Sequence, residues 1–355
     1  MPDSLTDSQR FPERLALIAP FFLWGTAMVA MKGVLAHTTP LFMGGVRIAP
    51  AGLLVIGAAA LLGKAQPKGW RAWLWILLFA GVDVTLFQGF LALGLSRTSA
   101  GLGSVMIDSQ PLAVALLALV LYGERIGLWG WLGLGIGISG ISCIGLPDAW
   151  ILQLGTGAWL QQDWQEILTW QSLSQVSQSG EFLMLLAALS MAVGTVMIRQ
   201  VCRYADPISA TGWHMLLGGL PLFMGSGIWE SEQWVHLSPS DWLSIAYAAI
   251  FGSAVAYGLF FYFASKGNLT SLSSLTFLTP VFALIFGNLF LSEVLSQVQT
   301  FGVCLTLLSI YFVNQREQLP KPGELFATLE RYWLGTEKSE VAEIPVRVDA
   351  KSNAK

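Results

Sequence analysis

Single ionisable and amide side chains stand alone inside long apolar stretches of this sequence. Residues placed that way do chemistry by holding a proton, pairing with a charge or contacting a polar solute. Asp83 lies in Gly81-Val82-Asp83-Val84-Thr85, and Gln88 follows Thr85 by about one helical turn. Asp108 is followed by Ser109, Gln110 and Pro111. Lys32, Arg47 and His214 each interrupt an apolar run as well. A charged side chain at the centre of a bilayer costs about 2.5–3.5 kcal/mol on insertion scales, so such residues usually face a protein interior and are functional candidates by default.

Each candidate has a functional and a structural account. Asp83 would take up and release a proton during a cycle, or it is a partner for Thr, Gln or a backbone group. Pro111 has no N–H to give the carbonyl of Ile107. Asp108 and its neighbours are therefore expected on a kinked, polar helix segment, either walling a cavity or hydrogen-bonded within the kink. Gln88 would bring an amide to the cavity of Asp83. His214 would shuttle protons or sit as a hydrogen-bonded core imidazole. Trp24, Trp213 and Tyr257 would line an aromatic pocket for an organic substrate, or serve packing and interfacial anchoring. Lys32 is expected to snorkel to an interface, and Arg47 to pair with an acid that holds helices together.

The elements that must position these residues are apolar. The chain has 355 residues, of which 54% are hydrophobic and only 12% charged, with mean hydropathy +0.61. Soluble domains carry about 25% charged residues. Residues 15–315 hold 22 charged side chains, and the last 40 residues hold 14. A spanning helix needs about 20 mostly apolar residues. Ten stretches qualify, near 15–36, 40–62, 72–95, 99–121, 126–146, 181–201, 207–229, 241–264, 269–291 and 295–314. Barrel strands would alternate apolar and polar residues, and Leu112–Tyr122 does not. The expected fold class is an all-α integral membrane protein with ten transmembrane helices, and the lipid bilayer is its first partner.

Net charge −3 leaves no basic surface for nucleic acid. Cys143, Cys202 and Cys304 are far apart and read as small buried apolar residues, with neither a disulfide framework nor a metal site expected. No metal and no cofactor is expected. Met1–Arg14 is polar and acidic, unlike a cleaved signal peptide. Residues 147–180, with Trp150, Trp159, Trp164 and Trp170 among Gln and Ser, read as an interfacial extracytoplasmic loop. Residues 315–355 read as a charged, soluble tail.

Lys and Arg set the orientation. With a cytoplasmic N-terminus, Arg10, Arg14, Lys64, Lys68, Arg71, Arg125, Arg199, Arg203, Lys266, Arg316 and Lys321 fall on the cytoplasmic side. The other side receives Lys32, Arg97 and, counting the second span, Arg47. That bias obeys the positive-inside rule and predicts two cytoplasmic termini, most simply in a bacterial cytoplasmic membrane. The halves also repeat. Pro111 precedes Glu124 by thirteen residues across an apolar run, and Pro280 precedes Glu293 by thirteen across another. These pairs are related by a shift of 169, while Lys32 matches Arg199 and Arg47 matches His214 at a shift of 167. Five spans per half is an odd number, so the second half is inverted, a construction common in secondary transporters.

At this point the chain resembles the drug/metabolite transporter superfamily, EamA type, over roughly residues 14–315. Trp24-Gly25-Thr26-Ala27-Met28-Val29-Ala30-Met31-Lys32 resembles its first-helix motif, and Arg47 its second-helix arginine. Pro111…Gly123-Glu124-Arg125 and Pro280…Ser292-Glu293 resemble its Pro-to-Glu signature, and Gly180-Glu181-Phe182-Leu183…Ala187-Ala188-Leu189-Ser190 the start of its second repeat. The resemblance implies a 5+5 inverted repeat and transport of small organic molecules, often outward. The segments then divide as a cytoplasmic 1–14, a first repeat 15–146, the loop 147–180, a second repeat 181–314 and the tail 315–355.

A secondary transporter for a small metabolite, an amino acid or similar, working by alternating access, is the function expected. A proton-coupled exporter is one form of it. Asp83, Asp108, Gln88, His214, Trp24 and Tyr257 are the substrate or proton candidates. Lys32, Arg47, Pro111, Glu124, Pro280 and Glu293 are the fold or gate candidates. No nucleotide-binding loop of the G-x-x-x-x-G-K-[ST] type is present, so the energy is expected from a gradient. The alternative is a membrane-embedded enzyme using Asp83 and Asp108 as a carboxylate pair. It lacks an H-E-x-x-H or G-x-S-x-G motif, and no enzymatic activity is expected. Glycines at 127, 130, 133, 135, 137 and 140 fit close helix packing or a homodimer contact.

Overall fold

A computed structural model of the chain describes residues 7–123, 126–148, 151–152, 170–265, 275–276, 278–315 and 319. The chain divides into two compact units, Met1–Glu317 and Gln318–Lys355. The second lies, apart from Leu319, outside the described residues, as do Glu124 and most of the Trp-rich loop.

The described elements are all helical. They are α1 (Asp7–Val34), α2 (Pro40–Leu61), α3 (Trp70–Phe79), α4 (Phe87–Arg97), α5 (Ala100–Ile107), α6 (Gln110–Tyr122) and α7 (Leu128–Gly145). After the central loop come α8 (Trp170–Ser177), α9 (Gly180–Val201), α10 (Pro207–Trp229), α11 (Pro239–Ala249), α12 (Ala256–Ser265), α13 (Leu278–Leu291) and α14 (Gln297–Gln315). Among the described residues seven helical runs are long and apolar enough to cross a membrane, including the continuous Trp70–Arg97 and Pro239–Phe260. Leu278–Leu291 and Gln297–Val313 are shorter apolar helices. The 23-residue α10 is long enough but less apolar, because His214 and several glycines lie within it. Many large apolar side chains point outward, such as Leu61, Val120, Met224 and Phe290. An exposed apolar belt of that kind suits lipid, not water.

Small polar residues start these helices by taking up backbone N–H groups that lack an intrahelical partner. Ser99 Oγ accepts from the Leu102 N–H and Ser179 Oγ from the Phe182 N–H. Asp206 Oδ1 accepts from Ile208 and Ser209 ahead of α10. Ser238 and Asp241 cap α11 reciprocally.

Two helical runs change pitch midway. A π-helical turn, Ala80–Leu86, joins α3 to α4, and another, Ile250–Val255, joins α11 to α12. In each, a hydroxyl donates to the carbonyl five residues back. Thr85 Oγ1 reaches Ala80 O at 3.4 Å, and Ser253 Oγ reaches Ala248 O at 3.0 Å. Such turns are rare inside helices and often accompany functional sites.

The run after Ser99 breaks where the sequence predicts only a kink. α5 ends at Ile107, Asp108 and Ser109 form a turn, and Pro111 becomes the second residue of α6. Proline fits a first turn because no N–H is needed there. The Ser109 hydroxyl donates to Met106 O at 2.5 Å, satisfying a carbonyl freed by the break.

Helix α2 packs along α10, and α7 along α14. The glycines of α7 are used in the second contact. A Cβ on Gly137 would meet Ser309 Oγ at 2.4 Å, and one on Gly140 would meet Thr306 Oγ1 at 2.5 Å. The buried core gathers Met31, Leu95, Val105, Met106 and Met184 from α1, α4, α5 and α9. Of the cysteines only Cys143 is buried; Cys202 and Cys304 are exposed, contrary to the sequence expectation. Both lie on outward helix faces or ends, where a small, weakly polar side chain tolerates lipid as readily as a core.

Candidate functional site

A cavity of about 350 Å³ lies between the helices, within the range of small-molecule sites. Its walls are mostly apolar, with Met28 and Met31 from α1, Phe87 and Leu91 from α4 and Ile107 from α5. Trp24, Tyr257 and Phe260 form an aromatic side, with Trp24 edge-on to Tyr257 at 5.4 Å between centroids. Into this lining project Arg47, Asp83, Gln88, Ser104, Asp108 and Thr279. The segments that carry Asp83 and Asp108 are the irregular ones, a π-helical turn and a helix break.

Asp83 meets His214 across the α10 contact, Oδ2 to Nε2 at 3.3 Å. The other ring nitrogen, Nδ1, lies 2.5 Å from the carbonyl of Thr211. A carbonyl only accepts, so Nδ1 carries a proton and donates it there. The Asp83 contact is then favourable only with a further proton between Oδ2 and Nε2, on one or the other. Phe79 stacks on the imidazole at 4.3 Å and a 20° interplanar angle, fixing its plane. Thr85 Oγ1 donates to Gly218 O at 2.9 Å, tying the π-helical turn to α10. The approach of Asp83 also needs a bare backbone opposite, since a Cβ on Gly194 would lie 2.1 Å from Oδ1.

Arg47 is 5% exposed and corrects the expectation that it pairs with an acid. Its Nη1 donates to Ser253 Oγ at 3.2 Å and its Nη2 to Gln88 Oε1. Nε is buried and has no hydrogen-bond partner. Among the described residues no carboxylate stands within ion-pair distance of it.

Asp108 accepts from Ser104 Oγ at 3.3 Å. Gln110 beside it donates to Thr195 Oγ1 at 2.5 Å, linking α6 to α9. The two carboxyls imagined as an enzymatic pair thus have separate partners.

Asp83, Asp108, Gln88, Trp24 and Tyr257 therefore share one cavity, and His214 stands directly behind Asp83. Trp213 is not part of that lining. It donates to Gln66 Oε1 at 2.8 Å and packs edge-on against Trp73. Lys32 donates to Leu95 O at 2.9 Å, where the last turn of α4 leaves carbonyls open. Pro280 is buried near the start of α13. Glu293 caps α5: its Oε1 accepts from the Ala100 N–H at 2.6 Å and its Oε2 from the Gly101 N–H at 3.1 Å. Glu124 lies outside the described residues.

Sequence reasoning missed Ser104, Thr279 and Gly194 at the cavity and Ser253 behind Arg47, because small hydroxyl and glycine residues are common in apolar helices. It also missed Glu230, whose carboxylate accepts from the Leu41 and Phe42 N–H groups at the start of α2.

The EamA-like transporter family model matches the chain twice, over residues 13–146 and 178–315. A protein named as an uncharacterized transporter of Synechocystis sp. is 61% identical over 86% of this chain and 90% of its own length. A WAT1-related chloroplastic protein of Arabidopsis thaliana is 51% identical over 86% of this chain and 70% of its own length. One solved crystal structure superposes with a TM-score of 0.57 at 15% identity, covering 85% of this chain and 97% of that one; this likeness concerns the fold alone. With both halves matched and the Synechocystis relative aligned over 90% of its length, the chain is a multi-pass membrane protein and belongs to the EamA-like transporter family.

Proposed function

We propose that this chain is a proton-coupled secondary transporter that moves a small organic metabolite through the cavity by alternating access, with export as its direction. The observation that carries the proposal is the Asp83–His214 contact in the cavity wall. A proton held between these two groups would lie beside the cavity, at a pitch change that joins two helices, and that supports the reading. A carboxyl and an imidazole that trade a proton give the carrier two charge states, and a substrate that prefers one of them couples its movement to the proton. Membership of a transporter family and relatives named as transporters favour transport over the enzymatic alternative.

The same proposal includes ten spans in a 5+5 inverted repeat. Several features support it. The family model matches the two halves separately. The two π-helical turns begin at Ala80 and Ile250 and end at Leu86 and Val255, close to the 169-residue shift between Pro111 and Pro280. Packing is exchanged in kind: α1 lies on α13 as α9 lies on α6, and α1 lies on α11 and α12 as α9 lies on α4. Two similar halves in opposite orientation can swap conformations, so that a central site opens to either side. The domain bounds given above, both termini on the cytoplasmic side of a cell membrane and a homodimer as one assembly complete the proposal.

The test is uptake and efflux of pooled labelled amino acids and small metabolites in sealed proteoliposomes, with and without an imposed pH gradient. A saturable flux that follows the gradient in the parent and ignores it in Asp83→Asn is expected. A saturable flux indifferent to the gradient in both proteins would sink proton coupling through Asp83.

A further inference from the structure

The cavity holds a buried cation that has no counter-ion among the described residues. Arg47 lines it, is 5% exposed and spends its Nη groups on two neutral oxygens, those of Ser253 and Gln88. Its Nε–H is buried and unpaired. A guanidinium cannot escape by losing its proton in a protein, and a buried charge is normally matched by an opposite one. The two carboxyls of the wall are engaged elsewhere, Asp83 with His214 and Asp108 with Ser104.

The repeat shows where a counter-ion is missing. His214 is the counterpart of Arg47, at a shift of 167, and it meets Asp83. The counterpart of Asp83, at a shift of 169, is Gly252, next to the Ser253 that Arg47 contacts. So one of two matching places has an acid and the other has none. Room follows the same logic. Gly194 leaves space for Asp83, whereas its counterpart Ala27 fills the corresponding space, 2.4 Å from where a Cβ on Gly252 would be. Gly252 and Ala27 both line the cavity.

Resting on the transporter reading, we propose that the substrate of this cavity carries a carboxylate, which takes the place of the missing acid at Arg47, while its apolar or aromatic body lies against Trp24, Tyr257 and Phe260. Planar, forked donors suit a carboxylate in particular. An apolar, aromatic wall suits an organic body better than a bare inorganic anion.

Ligand-induced thermal stabilisation of the detergent-purified full-length protein tests this with matched compounds. One set is 3-phenylpropionate, phenylalanine, phenethylamine and 3-phenylpropanamide. The other is 4-methylpentanoate, leucine, isoamylamine and 4-methylpentanamide. The expected result is stabilisation by at least one carboxylate of a set and not by its amine or amide. Arg47→Gln is expected to weaken the response by about 10- to 100-fold in half-saturating concentration, the scale of a charge-assisted hydrogen bond. A second variant, Ala27→Gly with Gly252→Asp, builds the missing acid into the wall and is expected to weaken carboxylates while leaving the melting temperature without ligand at or above the parent's. Stabilisation by the amines or amides alone, by chloride or phosphate alone, by no carboxylate at all, or equally in the parent and Arg47→Gln overturns the proposal. Counterflow of the same compounds separates this failure from that of transport itself. Saturable movement of amines or amides would keep a carrier and remove the carboxylate.

Discussion

Gly194→Ala isolates the Asp83–His214 contact without altering either partner. Gly194 lies in α9, and a Cβ there would stand 2.1 Å from Asp83 Oδ1 and 2.7 Å from its Cγ, where ordinary contacts begin at 3.4 Å. The carboxyl must therefore rotate or withdraw by about 1 Å, and Oδ2 leaves its 3.3 Å position on His214 Nε2. Hydrogen bonds to charged groups contribute about 1.5–3 kcal/mol, which is a factor of about 10–100 in any equilibrium that depends on the contact. The backbone itself favours the change, since alanine is better than glycine inside a helix by about 1 kcal/mol, so loss of function would not reflect a poor helix former. Gly81→Ala is the control: it lies two residues from Asp83, and a Cβ there meets nothing within 4 Å. The assay is flux in proteoliposomes at a fixed substrate concentration, with and without a gradient of one pH unit. With the membrane potential clamped to zero, a carrier exchanging one proton per solute supports about a tenfold concentration ratio per pH unit, because that unit corresponds to 1.36 kcal/mol. The parent and Gly81→Ala should approach that ratio, and Gly194→Ala should fall toward unity. A Gly194→Ala carrier that keeps the parental ratio, or a Gly81→Ala carrier that loses it equally, would refute the role given to this contact.

Other expectations follow from single contacts. Glu293→Gln replaces one of the two acceptor oxygens at the α5 N-terminus with a donor and should lower unfolding stability by about 1.5–3 kcal/mol, seen as a lowered melting temperature in detergent. Trp24→Ala removes an aromatic wall of the cavity and should raise the half-saturating substrate concentration, whereas Trp213→Phe, whose indole bonds Gln66 away from that lining, should leave it within twofold (about 0.4 kcal/mol). For orientation, Ala65→Cys and Trp234→Cys in a background without Cys143, Cys202 and Cys304 place exposed thiols in the loops after α2 and α10. An impermeant maleimide should label residue 234 in intact cells and residue 65 only after permeabilisation; the reverse pattern would invert the proposed topology.

Much of the fold was legible because the bilayer demands it. Without water to satisfy a backbone, an apolar stretch near 20 residues long has little choice but helix, and helices occupy most of the described part of the expected stretches, with turns at residues 108–109 and 275–276. The cost of burying charge likewise pointed to Asp83, Asp108, His214 and Arg47 before any geometry was known. What each of them touches was not legible. Asp83 and His214 are 131 residues apart, and nothing local in either segment names the other. Arg47 was expected to have an acid and has a serine and a glutamine, because partners across helices are chosen by rotation and close packing, which hydropathy does not encode. The Pro111 kink became a break: Pro111 stands in the first turn of a new helix, and the Ser109 hydroxyl bonds Met106 O at the end of the preceding one.

Composition and charge placement by themselves determined a membrane-spanning helical chain with sparse polar residues held inside it. The duplicated Pro-to-Glu spacing determined that its halves are alike. Only the tertiary structure decided that Asp83 meets His214, that Gly194 makes room for this, and that Arg47 faces the cavity with one buried N–H unpaired. A transfer free energy is a property of a residue type and can be read along a chain. A hydrogen bond is a property of two positions in space, and the positions exist only once the helices have packed.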